Sequence, residues 1–167
     1  MKTITHVTVG LWENTGGPAE SVPKLLKELA QSNKFNINLV TLEGKLSENV
    51  KDLYEYENIN IHLVKSTSTR NINYNPGYIK ILKRLIKESD IVHIQGMWLY
   101  PFWLAAYYAK KYNVKLVISP RGCVAPNRLL KSKFKKQIAT HLFDKRNLNK
   151  ANLYYYTGNY KKTINFL

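Results

Sequence analysis

The feature that most narrows the fold of this chain is the alternation of short β-branched runs with amphipathic helical stretches along its length. Thr3 to Gly10 alternates and is rich in Ile, Val and Thr, as a half-buried strand requires. Gly16 and Gly17 follow, and Pro18 opens a helical pattern in which Val22, Leu25, Leu26 and Leu29 recur at three- and four-residue steps. Ile37 to Leu42 and Ile59 to Val64 read as the second and third strands, joined by a polar connection. Ile79, Leu82, Leu85 and Ile86 mark the inward side of a second helix. Asp90 to Ile94 is a short buried strand, Pro101 to Tyr112 a helix with Pro in its first position, and Lys115 to Ser119 a further strand. Ser132 to Leu148 is expected to be helical and strongly basic, and Ala151 to Thr157 returns to strand character. Parallel strands need crossovers long enough to hold a helix, so the expected fold class is α/β: a parallel sheet with helices on both faces. Pro23 conflicts with this pattern, because a proline that deep in a helix removes a backbone bond unless the helix starts later.

Sheets of this kind bind ligands outside the carboxyl ends of their strands. Three loops therefore carry the functional candidates: Gly16-Gly17, Gln95 to Tyr100, and Pro120 to Asn127. Two glycines between a first strand and a first helix let the backbone approach a bulky ligand, and the helix start offers free N–H donors to a phosphate. Equally, they can be a tight turn feeding a helix. There is no G-x-G-x-x-G and no G-x-x-x-x-G-K-[ST], so a dinucleotide dehydrogenase and a P-loop NTPase both lose their signature. His93 stands among Val and Ile, as a hydrogen-bonded core residue or as a catalyst. Trp98 and Tyr100 read as acceptor surface or as packing, and for Phe102 and Trp103 packing is the simpler account. In Ser119-Pro-Arg-Gly122, the Arg121 fork matches a phosphate or carboxylate, or else ties down a neighbouring loop.

Of 26 Lys plus Arg and 11 Asp plus Glu, residues 1–90 hold twelve bases and ten acids, whereas residues 91–167 hold fourteen bases and only Asp144. The C-terminal half therefore seeks anions. Arg128, Lys131, Lys135 and Lys136 head its basic stretch, an expected face for an anionic membrane surface. A single cysteine, Cys123, with four scattered histidines predicts neither a disulfide nor a metal site, and no metal cofactor is expected. Residues 91–109 carry no charge over nineteen positions, but His93, Gln95, Gly96 and Pro101 interrupt them and the aromatic rings sit mid-segment. With a lone cysteine and a first ten residues that lack the apolar run of a signal peptide, the chain is expected to be cytoplasmic, peripheral at most on the inner face of the cell membrane.

Taken together, Gly16-Gly17-Pro18-Ala19 with Ser21-Val22-Pro23, Asp90-Ile-Val-His93-Ile-Gln-Gly96-Met97-Trp98, Ile118-Ser119-Pro-Arg121-Gly122 and Asn149-Lys-Ala151 resemble the N-terminal half of a family 4 glycosyltransferase, of the subgroup with Ser-Pro-Arg-Gly. The resemblance covers nearly the whole chain. It implies one Rossmann-like half of a two-domain GT-B architecture spanning residues 1–167, with the donor-binding second domain absent from this chain, which is then a truncated form or one half of a split enzyme. It further implies retaining transfer of a sugar from a nucleotide-sugar donor to a glycan or lipid-linked acceptor during surface polysaccharide, for instance lipopolysaccharide, synthesis.

Residue by residue, the resemblance makes Gly16 and Gly17 the loop facing donor phosphate and acceptor. Gly96, Met97, Trp98, Ser119 and Gly122 become acceptor-side wall, with Arg121 and His93 as catalytic candidates. Arg121 stands where many relatives carry a histidine, and Gln95 where relatives often carry a second one. The rival expectation is a non-catalytic basic α/β module that binds anionic lipid or nucleic acid. No nucleic-acid motif is present, and a nucleic-acid partner is not expected.

Overall fold

The computed structural model describes residues 1–65, 73–124 and 151–154. In chain order they form β1 (Lys2–Val7), α1 (Gly17–Gln31), β2 (Phe35–Leu42), α2 (Glu48–Lys51) continuing into a 3₁₀ turn (Asp52–Glu55), and β3 (Ile59–Val64). There follow α3 (Gly77–Lys87), β4 (Ile91–Ile94), α4 (Tyr100–Lys111), β5 (Lys115–Ile118), a 3₁₀ turn (Arg121–Val124) and β6 (Leu153–Tyr154). The six strands pair in the order β3-β2-β1-β4-β5-β6, every pair parallel. This is a Rossmann-like α/β fold, as the alternation in the sequence requires.

Strand pleating sends alternate residues to opposite faces and so creates two cores. Val7, Val40, Leu42, Val64, Val92, Ile94, Leu116 and Ile118 meet Tyr78, Leu82, Leu85 and Ile86 of α3 and Phe102, Ala105, Ala106 and Ala109 of α4. On the other face, Ile37, Leu39 and Ile59 meet Val22, Leu26 and Ala30 of α1 together with Val50 and Leu53. The polar connection between β2 and β3 thus contains a short helix that buries Val50 and Leu53, which its composition concealed.

Pro23 lies inside α1 and is buried. Having no N–H, it cannot bond the Ala19 carbonyl one turn earlier. Ser47 Oγ donates to that carbonyl instead, at 3.3 Å. The helix therefore keeps its early start because a neighbouring loop supplies the missing donor.

Several boundaries differ from expectation. β1 ends at Val7 rather than Gly10: Thr8 N still bonds the Val40 carbonyl, then Gly10 takes φ +66° and turns the chain away from the sheet. The turned segment runs beside residues 44–47, with an antiparallel bridge between Trp12 and Leu46. In α3, Tyr78 occupies the inward position and Ile79, at the border of the stripe, is 39 % exposed. Pro101 is the second residue of α4 rather than the first. The expected last strand is described only as Leu153–Tyr154. The expected basic helix of Ser132 to Leu148 lies outside the described residues, as do Arg128, Lys131, Lys135 and Lys136. Among the described residues no helix is long and apolar enough to cross a membrane.

Candidate functional site

The strand order reverses direction between β1 and β4, where α1 covers one face of the sheet and α3 and α4 the other. In an open α/β sheet the crevice outside the carboxyl ends of two such strands is the ligand position. Here it is bounded by the loop after β1, which leads to Gly16, and by Gln95 to Leu99 after β4.

Side chains from four segments meet beside this crevice. His6 and His93 sit at the same level of β1 and β4, so both project from the α1 face. Their rings lie 4.9 Å apart, tilted by 56°. His93 Nε2 is 2.7 Å from Ser119 Oγ. Gln95 faces Arg121 through its amide oxygen and His6 Nδ1 through its amide nitrogen, the latter at 3.2 Å. A guanidinium has donors only, which fixes the amide orientation. His6 Nδ1 therefore accepts, and the His6 proton sits on Nε2. Arg121 Nη1 donates to Ser21 Oγ at 3.1 Å, and that hydroxyl donates onward to the Gly17 carbonyl at 2.7 Å. One hydroxyl thus links Arg121 to the glycine pair.

The electrostatics follow from burial. Desolvation pushes the His93 imidazole down to about 4, and the Arg121 charge adds to the effect. His6 is held well below the usual imidazole range by burial first, then by His93 and Arg121. Both rings are neutral at physiological pH, which leaves Arg121 as the cation of the cluster.

Backbone geometry marks the same place. Gly16, at the start of α1, has φ +72° and ψ −142°, a conformation that a side chain would strain. A Cβ on Gly17 would meet nothing within 4 Å, so the space beside it is open. Trp98 and Arg121 are non-glycine residues in the left-handed region, at φ +62° and +55°. Such conformations persist only where surrounding contacts hold them.

The remaining sequence candidates divide. Gly96 serves close packing: a Cβ there would sit 2.5 Å from the Phe102 ring. Met97 is 3 % exposed and belongs to the core under α3 and α4 rather than to an open wall. Trp98 is half-buried at the crevice edge, and Ser119 is buried against His93. Gly122 lies in the turn after Arg121. His93 itself is 8 % exposed, in keeping with a hydrogen-bonded core residue. Sequence reasoning did not find His6. Its signal was a lone polar ring at an inward position of a β-branched strand. Among the described residues no group of three or more metal-ligating side chains forms.

No family profile and no curated protein matches the sequence. Solved structures do match in fold. A UDP-N-acetylglucosamine 2-epimerase superposes with TM-score 0.59 at 12% identity, over 99% of this chain and 44% of its own. Anabaena HepE, solved in complex with UDP and glucose, gives TM-score 0.61 at 12% identity, over 92% of this chain and 38% of its own. A short-chain dehydrogenase/reductase from Veillonella parvula in complex with NADP gives 0.55 at 15% identity, over 93% and 67%. This chain spans less than half the length of the epimerase and of HepE. At these identities the likeness is one of fold: a Rossmann-like half shared by proteins of nucleotide-sugar chemistry and by an NADP-bound reductase.

Proposed function

We propose that this chain is the acceptor-side lobe of a glycosyltransferase of GT-B architecture, moving a sugar from a nucleotide-sugar donor to a hydroxyl of a growing, lipid-linked glycan. The observation that carries the proposal is Arg121, held between Ser21 and Gln95 and joined through Ser21 to the Gly16-Gly17 loop at the β1–β4 crevice. A departing nucleoside diphosphate gains negative charge as the sugar–oxygen bond breaks, and preorganised donors facing that charge supply the largest share of catalysis. The guanidinium and the open backbone at Gly17 are suited to that task. His93, neutral and engaged by Ser119, serves better as support than as general base. The nucleotide then belongs on a second lobe, continuous with this chain or separate from it, and transfer with retention follows from the family resemblance alone.

The test is transfer from a panel of nucleoside-diphosphate sugars to lipid-linked acceptors, with the chain alone and with a donor-binding lobe supplied. Transfer that needs both lobes and falls at least tenfold in Arg121→Ala supports the proposal, in line with the loss of one transition-state donor, about 10²–10³ in kcat. Full activity of Arg121→Ala in the two-lobe assay overturns it.

A further inference from the structure

The charged side chains of the two helical layers are arranged differently. On the α1/α2 side three of the bases are ion-paired: Lys27 with Asp52 at 2.9 Å, Lys45 with Glu13 at 2.8 Å, and Lys51 with Glu48 at 2.6 Å. On the α3/α4 side Lys80, Lys83, Arg84 and Lys87 form one exposed stripe along α3, opposite its buried Tyr78, Leu82, Leu85 and Ile86. Lys110 and Lys111 extend it at the end of α4. None of these six bases makes an ion pair with a described residue, and the only acids between residues 73 and 124 are Glu88 and Asp90.

An aromatic border accompanies the charge. Tyr107 is 55 % exposed on the outer side of α4, with Lys111 Nζ 6.0 Å from its ring centre. Ile79 and Tyr74 are exposed at the start of the layer, and Tyr74 meets Tyr100 with ring centres 4.8 Å apart. Because α3 and α4 are consecutive crossovers on one sheet face, they run in the same direction, and Lys87, Lys110 and Lys111 reach one edge together.

From this arrangement we infer that the outer face of α3 and α4 docks on an anionic lipid bilayer. Long basic side chains flanking half-exposed tyrosines suit the headgroup region, where apolar stems and rings enter the interface while charges stay at phosphate level. Nucleic acid fits less well. The exposed tyrosines each pack on another ring, Tyr107 on Tyr108 at 5.3 Å and Tyr74 on Tyr100 at 4.8 Å, instead of standing apart to receive bases. The inference is independent of sugar transfer and concerns other residues than Arg128, Lys131, Lys135 and Lys136.

The experiment is co-sedimentation of the full chain with phosphatidylcholine vesicles, with and without phosphatidylglycerol, over a salt series. Binding is expected to require phosphatidylglycerol and to weaken with salt. Replacing Lys80, Lys83, Arg84 and Lys87 together by Gln should weaken it about fivefold per base, on the order of several hundredfold in all. Gln at Lys24, Lys34, Lys45 and Lys51, on the opposite layer, should change it less than about twofold. Circular dichroism confirms that each variant folds.

Three results overturn the inference. The α3 variant binds vesicles like the parent and loses only stability, the bases then serving the helix C-termini. Gln at Arg128, Lys131, Lys135 and Lys136 abolishes binding while the α3 variant retains it. Or single-stranded RNA binds at concentrations where the vesicles do not.

Discussion

Gln95 and Arg121 are joined side chain to side chain beside the crevice, and the same amide of Gln95 reaches His6 on the neighbouring strand. An amide is suited to this position because it offers an acceptor to the guanidinium and a donor to the imidazole at once. Replacing Gln95 by Leu strips both partners. Leaving a buried donor or acceptor unsatisfied costs roughly 1–3 kcal/mol, and urea denaturation should show a loss in that range. Gln95→Glu places a carboxylate beside Arg121 and His6 instead. It should raise the His6 pKa, visible by NMR titration, and reduce transfer by neutralising Arg121. A His6 that titrates as in the parent would remove Gln95 from its assigned place.

Acid should destabilise the fold. His93 is pushed down to about 4 by burial, against about 6.5 in an unfolded chain. Between those values the unfolded chain binds the proton and the native chain does not, so stability falls as pH drops. Above about pH 6.5 the His93 contribution is constant, and below about 4 it is exhausted. The shift corresponds to about 3 kcal/mol lost across the window, and the lowered His6 adds in the same direction. Urea midpoints at about pH 7.5 and 4.5 measure it. His93→Gln should flatten the dependence, and equal midpoints in the parent would mean that His93 protonates freely in the folded state.

Ser47 and Pro23 should be coupled. Ser47→Ala leaves the Ala19 carbonyl unpaired and should cost about 1–2 kcal/mol. In a Pro23→Ala background the restored backbone N–H can take that carbonyl, so the same substitution should cost less. A double-mutant cycle with no coupling would show that Ser47 contributes through something other than this bond.

The glycines separate packing from function. A Cβ on Gly44 would collide with Trp12 Nε1, and Gly44→Ala should destabilise by roughly 1–3 kcal/mol. Gly17→Ala meets nothing in the chain, so its stability should stay within about 0.5 kcal/mol of the parent. If donor or acceptor occupies that open space, Gly17→Ala should nonetheless lower two-lobe transfer. Unchanged transfer would make Gly17 a helix start and nothing more.

Strand and helix order were legible in the sequence because periodicity reports burial directly: Ile59 to Val64 and the α3 stripe of Leu82, Leu85 and Ile86 needed no tertiary information. The helix at Val50 and Leu53 was not legible, since two buried residues in a polar connection make no period. Pro23 looked like a breaker because Ser47, the donor that takes the freed Ala19 carbonyl, is 28 residues further along the chain than Ala19. Arg121 and the glycine pair could be singled out from their positions at strand ends. Their link through Ser21, the contact of Arg121 with Gln95, and the part played by His6 depend on strand order, which no local pattern encodes. Met97 and Gly96 read as cleft wall, but the ring of Phe102 and the core beneath α4 claim them.

The pairing of β1 with β4 also sets when the crevice comes into being. Thr3 bonds Asp90 across 87 residues, so during synthesis the first strand has one flank open until the fourth has left the ribosome. Such distant contacts close slowly, and an uncovered strand flank invites pairing with other chains. A nascent polypeptide arrested before Ile91 should therefore hold its first three strands, lack the histidine pair altogether, and depend on chaperones for its survival.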